Sequence, residues 1–167
     1  MADGACPPER GQRTPRRRVK EMALRRLALE DMEAAAAVHR ASFDRALPWL
    51  VGLHTAAEDR AFYRDQVFRA CEVWGAERQG KLVGIIAFRR DWVDQLYVLP
   101  DAQRSGVGGT LLEVAQQAFP RLDLWTFQRN LPARRFYEAN GFVAVRETDG
   151  SGNEEKEPDV LYRWERA

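Results

Sequence analysis

Three glycines stand close together in the segment "QRSGVGGT", which covers residues 103–110. A strand-like segment precedes them and a helix-like segment follows. Backbone amides at the start of a helix are unpaired and carry the positive end of its dipole, so a turn of this kind is suited to binding phosphate. Bare glycine backbone would let phosphate oxygens approach those amides. Arg104 would add positive charge, and Thr110 a hydroxyl.

Two common phosphate-binding motifs fit these glycines poorly. A P-loop requires GxxxxGK[ST], and no lysine follows these glycines. A dinucleotide fingerprint requires GxGxxG, and Leu111 occupies its third glycine position. That fingerprint is also expected in a first βαβ unit, whereas this loop comes after several strands. The dinucleotide site is therefore the second choice, and a turn that binds nothing is the third.

A second motif decides between these alternatives. "NLPARRFYEANGF" supplies Asn130, Tyr137, Gly141 and Phe142. Together the two motifs resemble the GNAT superfamily of N-acetyltransferases, whose loop reads (Q/R)-x-x-G-x-(G/A) and is matched by residues 103–108. The resemblance extends from Met22 to the C-terminus and includes the order of the elements.

The resemblance implies a fold and a reaction. The fold is α/β (α+β), the GNAT acyltransferase fold, with a mixed central sheet of about six to seven strands, a splayed β4/β5 pair and about four flanking helices. The reaction is direct transfer of acetyl from acetyl-CoA to a primary amine of a small molecule or peptide, without a metal. The implied cofactor contacts are Leu96, Tyr97, Val98, Gln103, Arg104, Ser105, Gly106, Val107, Gly108, Gly109, Thr110, Asn130, Ala133 and Phe136.

The resemblance also assigns catalytic roles. The Val98 amide would stabilise the oxyanion, and Tyr137 takes the general-acid position, where a phenol can protonate a departing thiolate with a conjugate acid of pKa about 8.5. Some members carry a glutamate base where this sequence has Trp125. We therefore expect Asp94, which shares strand parity with Leu96 and Val98, to act as base through a water. The alternatives are a packing role for Tyr137 and a salt-bridged surface role for Asp94.

Two loops are predicted to build the acceptor site. The loop between the first two helices offers Trp49, Leu50 and His54, and the loop before the last strand offers Glu154, Glu155 and Glu157. Aromatic and carboxylate side chains would suit a cationic or aromatic amine. The sequence does not select among acceptors. A second function class also stays open, a module that binds acetyl-CoA as a sensor without turnover.

Hydrophobic periodicity and turn residues predict the order β-α-α-β-β-β-α-β-α-β-β. The alternating segment around Gln79-Gly80 indicates a hairpin. The predicted strands cover residues 24–29, 71–78, 81–90, 92–98, 122–127, 142–148 and 159–165, and the predicted helices cover 32–43, 56–68, 110–119 and 132–140. A strand-helix-strand unit in the second half requires one parallel strand pair.

Composition limits the function classes. The 167 residues are 45% hydrophobic and 31% charged with a net charge of +1, typical of a globular protein. Residues 1–21 are rich in arginine, proline and glycine and are predicted to form a disordered basic tail before a single domain at 22–167. We expect no nucleic-acid role for this tail.

The remaining expectations concern location and assembly. No apolar run approaches the ~20 residues needed to cross a bilayer. Cys6 and Cys71 lack metal-site spacing. The chain is therefore expected to be cytoplasmic, without membrane contact. If the final strand, "VLYRWE", is exposed, it could pair with a second copy of the chain and form a homodimer.

Overall fold

The computed structural model describes residues 22–166 and has the predicted order of elements. The strands are β1 Met22–Arg26, β2 Glu72–Arg78, β3 Lys81–Arg89, β4 Trp92–Val98, β5 Arg121–Phe127, β6 Val143–Thr148 and β7 Asp159–Glu165. The helices are α1 Met32–Ala46, α2 Ala56–Phe62, α3 Phe68–Ala70, α4 Val107–Ala118 and α5 Leu131–Ala139. A π-helical turn, Tyr63–Val67, joins α2 to α3, so they form one continuous helical unit. The predicted basic tail lies outside the described residues.

The first strand is shorter than predicted at its C-terminal end. The expected strand reached Leu29, but β1 ends at Arg26 and Leu29 begins a 3-10 turn. The carboxylate of Asp31 accepts a hydrogen bond of 2.8 Å from the backbone amide of Ala28. Arg25 donates to the same carboxylate at 2.8 Å. These contacts turn the chain into α1 before the strand can continue.

The seven strands form one mixed sheet in the order β1-β2-β3-β4-β5-β7-β6. All neighbours are antiparallel except β4 and β5. The predicted hairpin is confirmed, because Gln79 and Gly80 take φ values of 52° and 73° in the turn between β2 and β3. Two positive φ values in succession are what a tight two-residue hairpin needs.

The parallel pair is splayed, as predicted. Within the described residues, β4 pairs with β5 through Trp92 and Asp123 alone. On its other side β4 pairs with β3 along most of its length, and β5 pairs with β7 from Arg121 to Phe127. The sheet therefore opens into a cleft toward the C-terminal ends of β4 and β5.

The expectation of an exposed final strand is wrong. β7 lies between β5 and β6 and is hydrogen-bonded to both. Its backbone groups are used within the sheet, so it cannot pair with a second copy of the chain. The edges of the sheet are β1 and β6.

A hydrophobic core covers each face of the sheet. On one face α1 and the α2–α3 unit pack through residues such as Met32, Tyr63 and Ile85. On the other face α4 and α5 pack through residues such as Leu111 and Leu124. No helix within residues 22–166 combines the length and the apolar character needed to cross a membrane.

Candidate functional site

The cleft between β4 and β5 contains a cavity of about 720 Å³. Most of the predicted cofactor residues line it, together with both predicted catalytic residues. The predicted residues in its wall are Asp94, Leu96, Tyr97, Val98, Gln103, Arg104, Gly106, Gly108, Gly109, Asn130, Ala133, Phe136 and Tyr137. Segments that are distant in sequence thus meet around one space, which we call the cleft cavity.

The backbone of β4 offers hydrogen-bonding groups to this cavity. The amide of Leu99 donates to the carbonyl of Val83 on β3 at 2.8 Å. Because backbone groups alternate along a strand, those of Tyr97 also face β3, and those of Leu96 and Val98 face the gap. The side chain of Gln103 donates to the Val98 carbonyl at 3.0 Å. The Val98 amide is therefore directed into the cleft, where the predicted oxyanion contact requires it.

The glycine loop turns sharply into α4. Gly106 precedes the helix with φ of 87°, and Arg104 has φ of 55°. The first helical backbone bond runs from the amide of Thr110 to the carbonyl of Gly106 at 3.0 Å. The amides of residues 106–109 thus have no partner within the helix. Their grouping at a helix N-terminus is suited to holding an anion.

Three predicted cofactor residues use their side chains within the protein. The Ser105 hydroxyl donates to the Ala102 carbonyl, and the Thr110 hydroxyl donates to the Gly106 carbonyl at 3.0 Å. Val107 is 1% exposed and packs in the core below α4. These side chains hold the loop in place. Any contact that the three residues make with a ligand would therefore come from their backbone groups.

Arg78 is a basic residue at this loop that the sequence did not indicate. It ends β2, and its guanidinium donates to the Ser105 carbonyl at 3.2 Å. Only the pairing of β2 with β3, and the packing of α4 over them, bring residue 78 to residue 105. No motif could have found it, because an arginine at the end of a strand is an ordinary surface residue in sequence.

Tyr137 lies on α5 with 8% of its surface exposed. Its ring packs beside Phe136, Phe142 and Tyr162, with centroids 5.3, 5.7 and 6.1 Å away. Burial raises the pKa of Tyr137 above its usual value of 10.0. The hydroxyl therefore stays protonated at neutral pH, and it belongs to a side chain that lines the cleft cavity.

The start of α5 is fixed by Asn130. Its side-chain oxygen accepts a hydrogen bond of 3.3 Å from the Ala133 amide and so caps the helix. The same residue lines the cleft cavity, which leaves its amide NH₂ group for a ligand.

Asp94 lines the cleft cavity. However, the expectation that its side chain lies on the same face of β4 as those of Leu96 and Val98 is wrong. Ala87 pairs with Gln95 while Phe88 pairs with Val93, so Asp94 is an extra residue in a β-bulge. Its carboxylate accepts a hydrogen bond of 3.2 Å from Arg89. Burial, followed by the charge of Asp94, raises the pKa of the Cys71 thiol to about 12. Asp94 thus lies at the edge of the cavity on the α1 side of the sheet.

The two predicted acceptor loops contact each other. The indole of Trp49 donates to Glu157 at 2.9 Å, and Arg129 stacks over the Trp49 ring at 4.0 Å while contacting Glu157 at 3.3 Å. His54 lies 3.4 Å from Glu154. Leu50 ends a short 3-10 turn, Pro48–Leu50, in the same loop. Sequence reasoning identified both loops but missed Arg129, which joins them.

A second cavity of about 510 Å³ adjoins the cleft cavity on the acceptor side. The two share walls that include Phe43, Asp94, Tyr97 and Trp125. The second cavity, here called the acceptor-side cavity, then extends to Glu155 on the β6–β7 loop. Of the three predicted glutamates, Glu155 is the one that lines it.

The segment that builds the cleft matches a known protein family. A family model described as the acetyltransferase (GNAT) domain matches residues 69–144, from the end of the α2–α3 unit to the start of β6. Residues 69–144 are therefore similar to a GNAT acetyltransferase domain. The matched part of the domain includes the splayed strands, the glycine loop and Tyr137.

A curated relative of part of the chain is named as an N-acetyltransferase. The peptidyl-lysine N-acetyltransferase YiaC of Escherichia coli strain K12 is 36% identical over 83 residues, which cover 49% of this chain and 57% of YiaC. The chain thus spans little more than half the length of this relative.

Solved structures share the GNAT fold over a longer part of the chain. YjaB of Escherichia coli, in its apo form, superposes with a TM-score of 0.73 at 24% identity, covering 88% of this chain and 99% of YjaB. The PaiA N-acetyltransferase of Thermoplasma acidophilum, in complex with coenzyme A, superposes with a TM-score of 0.64 at 21% identity, covering 87% and 99%. At these identities the likeness concerns the fold.

Proposed function

We propose that the protein is an acetyl-CoA-dependent N-acetyltransferase that acts on a primary amine of a small molecule or peptide. The observation that carries the proposal is the cleft itself, in which Val98, the loop glycines Gly106, Gly108 and Gly109, and Tyr137 surround one cavity of about 720 Å³. The name of the relative YiaC and the coenzyme A complex of PaiA support the same reaction class.

The residues present fit the co-substrate. Its phosphates require an anion site, for which the start of α4 offers unpaired amides and Arg78 and Arg104 offer positive charge. Its pantetheine arm carries amide groups, for which Leu96, Val98 and Asn130 offer backbone and side-chain partners. Acetyl-CoA supplies the activated acetyl thioester, and the protein supplies the orientation of that thioester toward an amine.

Two groups would act on the reacting atoms from the walls of the cleft. The Val98 amide donates to the thioester oxygen as negative charge develops there. Tyr137 donates its phenolic proton to the sulfur as the carbon–sulfur bond breaks. Its burial suits this role, because a raised pKa keeps the proton available across the neutral and mildly alkaline range.

The acceptor amine must lose a proton before it attacks, since amines of pKa about 10 are mostly protonated at neutral pH. We assign this step to Asp94 acting through a water. Asp94 lines both cavities and stands where an amine would enter from the acceptor side. The contact with Arg89 holds the carboxylate in its orientation.

The test is thiol release from acetyl-CoA with a panel of amines, amino acids and peptides as acceptors. We expect release that depends on the acceptor, and binding of coenzyme A that raises the melting temperature. Stabilisation by coenzyme A without release for any acceptor would contradict catalysis and favour the sensor role. Absence of both effects would contradict the cofactor assignment as well.

A further inference from the structure

The acceptor-side cavity holds one carboxylate that the protein itself does not use. Glu154 contacts His54, and Glu157 contacts Trp49 and Arg129. Glu155, between them, lines the cavity and forms no hydrogen bond or ion pair with any of residues 22–166. The other carboxylate at the junction of the two cavities, Asp94, is already paired with Arg89.

The loop that carries Glu155 is held in place by its own contacts. The Asn153 side chain donates to the Glu157 carbonyl at 2.7 Å and accepts from the Glu157 amide at 3.2 Å. Lys156 donates to the Ser151 carbonyl at 2.9 Å. Gly150 takes φ of 80° with its backbone against Glu157, where a Cβ would stand 2.3 Å from the Glu157 carbonyl carbon. The loop therefore presents Glu155 in a fixed position without any bond from Glu155 itself.

Aromatic rings connect this carboxylate to the reacting centre. Phe43, Tyr97 and Trp125 line both cavities. Burial first, and then the neighbouring Tyr137 and Glu155, raise the pKa of Tyr97, so Tyr97 lies within electrostatic reach of both the proposed acid and Glu155. A chain of methylene groups or an aromatic ring fits along such a wall, with a cation at its far end.

We propose that Glu155 selects acceptors that carry a second positive charge, separated by an apolar stem from the amine that is acetylated. The proposal rests on the proposed function for the identity of the reacting amine. Arg146 also lines the cavity, but it lies over the Trp125 ring at 5.1 Å. In that stacked position it borders the stem. The third carboxylate in the wall, Asp159, accepts hydrogen bonds from Thr148 and Asn153. Glu155 is therefore the carboxylate left to bind the distal cation. The distal charge belongs either to a free diamine or to a basic residue next to a lysine in a peptide.

The experiment compares matched acceptors that differ by one charge. 1,5-Diaminopentane is compared with pentylamine, and a blocked lysyl-arginine peptide with a blocked lysyl-alanine peptide. We expect at least one doubly charged member to have a kcat/KM about tenfold above its partner, as expected for one ion-paired hydrogen bond. The pair that shows the difference identifies the source of the second charge.

The variant Glu155→Gln should bring that ratio close to one while the melting temperature stays at the wild-type value. Glu154→Gln, one residue away and outside the cavity wall, should keep the wild-type ratio. Equal rates within both pairs in the wild type would overturn the proposal. So would a loss in Glu155→Gln that affects singly and doubly charged acceptors alike, since that pattern describes a base.

A binding measurement separates this proposal from the proposed function. Calorimetric affinities of the same four compounds, measured with coenzyme A bound, require no turnover. A preference for the second charge that depends on Glu155 would support the proposal even if no thiol were released. Thiol release without any such preference, in rates or in affinities, would uphold the acetyltransferase and overturn the role of Glu155.

Discussion

Phe136 packs against the bare backbone of Gly108, so that a Cβ atom on residue 108 would stand 3.2 Å from two atoms of the ring. Gly108 belongs to the loop at the start of α4, and Phe136 belongs to α5. The contact joins the two walls of the cleft cavity. Packing therefore favours glycine at position 108. The proposed phosphate site, which would need room there, is a second and separate reason.

The first prediction follows from this contact. Gly108→Ala should lower the free energy of unfolding by about 1–2 kcal/mol, because the ring must shift in a packed region. Coenzyme A affinity should fall as well, because Phe136 lines the cavity. Urea unfolding and calorimetric titration measure the two effects.

The next residue is the control, since a Cβ on Gly109 would meet its nearest neighbour at 3.9 Å. Gly109→Ala should leave stability unchanged or raise it by up to about 1 kcal/mol, and a larger loss there than at Gly108 would contradict the packing argument.

The second prediction concerns the proposed acid. Tyr137→Phe should lower kcat by about 100-fold or more with little change in coenzyme A affinity, because the ring is kept and the proton is lost. Steady-state kinetics and titration separate the two quantities. In the wild type, kcat should show no alkaline decline below about pH 10, because burial raises the pKa of Tyr137 above its usual value of 10.0.

Tyr162→Phe is the matched control for this prediction. Tyr162 also lies beside the Tyr137 ring, but its hydroxyl donates to Glu138 at 2.5 Å and accepts from Arg134 at 3.2 Å. Removing that hydroxyl should reduce stability and leave kcat near the wild-type value. Similar losses of kcat in the two variants would mean that both hydroxyls act through packing alone.

The third prediction concerns the proposed base. Asp94→Asn should lower kcat/KM at pH 7 by about 100-fold. The loss should shrink toward pH 10, where more of the acceptor amine is already unprotonated. Asp91→Asn, three residues away in the turn before β4, is the control, because asparagine tolerates the φ of 58° found there. A loss in Asp94→Asn that is the same at every pH would argue against proton removal.

The fourth prediction concerns stability and pH. Burial lowers the pKa of His39 to about 4, and its ring stacks on Tyr97 with a centroid distance of 4.3 Å. Between pH 6.5 and 4 the unfolded chain binds a proton that the folded chain excludes. The free energy of unfolding should therefore be fully retained above pH 6.5 and fall by about 3 kcal/mol as the pH drops to 4.

Urea unfolding at pH 7.0 and pH 4.5 measures this effect. His39→Phe should remove most of the decline, because phenylalanine keeps the stacked ring and cannot be protonated. The other histidine of the sequence, His54, is more exposed, and His54→Gln should retain the wild-type decline. A decline of the same size in the wild type and in His39→Phe would assign it to other groups.

Local patterns in the sequence predicted most of the fold. The hairpin at Gln79-Gly80 and the strand Trp92–Val98 follow from alternation and turn chemistry within short segments. The glycine loop and Tyr137 were predicted for the same reason, since each belongs to a short motif. In the structure the glycine loop and Tyr137 line the same cavity. Their proximity depends on the parallel pairing of β4 and β5, and no short sequence motif predicts it by itself.

Features set by pairing between distant segments could not be predicted. The parity of Asp94 changed because one extra residue bulges out of β4, and a bulge has no reliable sequence signal. The internal position of β7 depends on its insertion between β5 and β6. Arg78 and Arg129 reach the site only through tertiary contacts, so their sequence neighbourhoods carry no sign of a role.

The single pairing of Trp92 with Asp123 determines where the sheet can deform most easily. It divides the strands into two hydrogen-bonded plates, β1–β4 and β5–β7, joined along one short line and braced by α4, which packs on both. Deformation of the sheet is therefore concentrated at that line, and opening the plates widens the cleft at its far end. A molecule that bonds to the free edge of β4 and also packs against α5 would tie the plates together and stiffen the whole sheet.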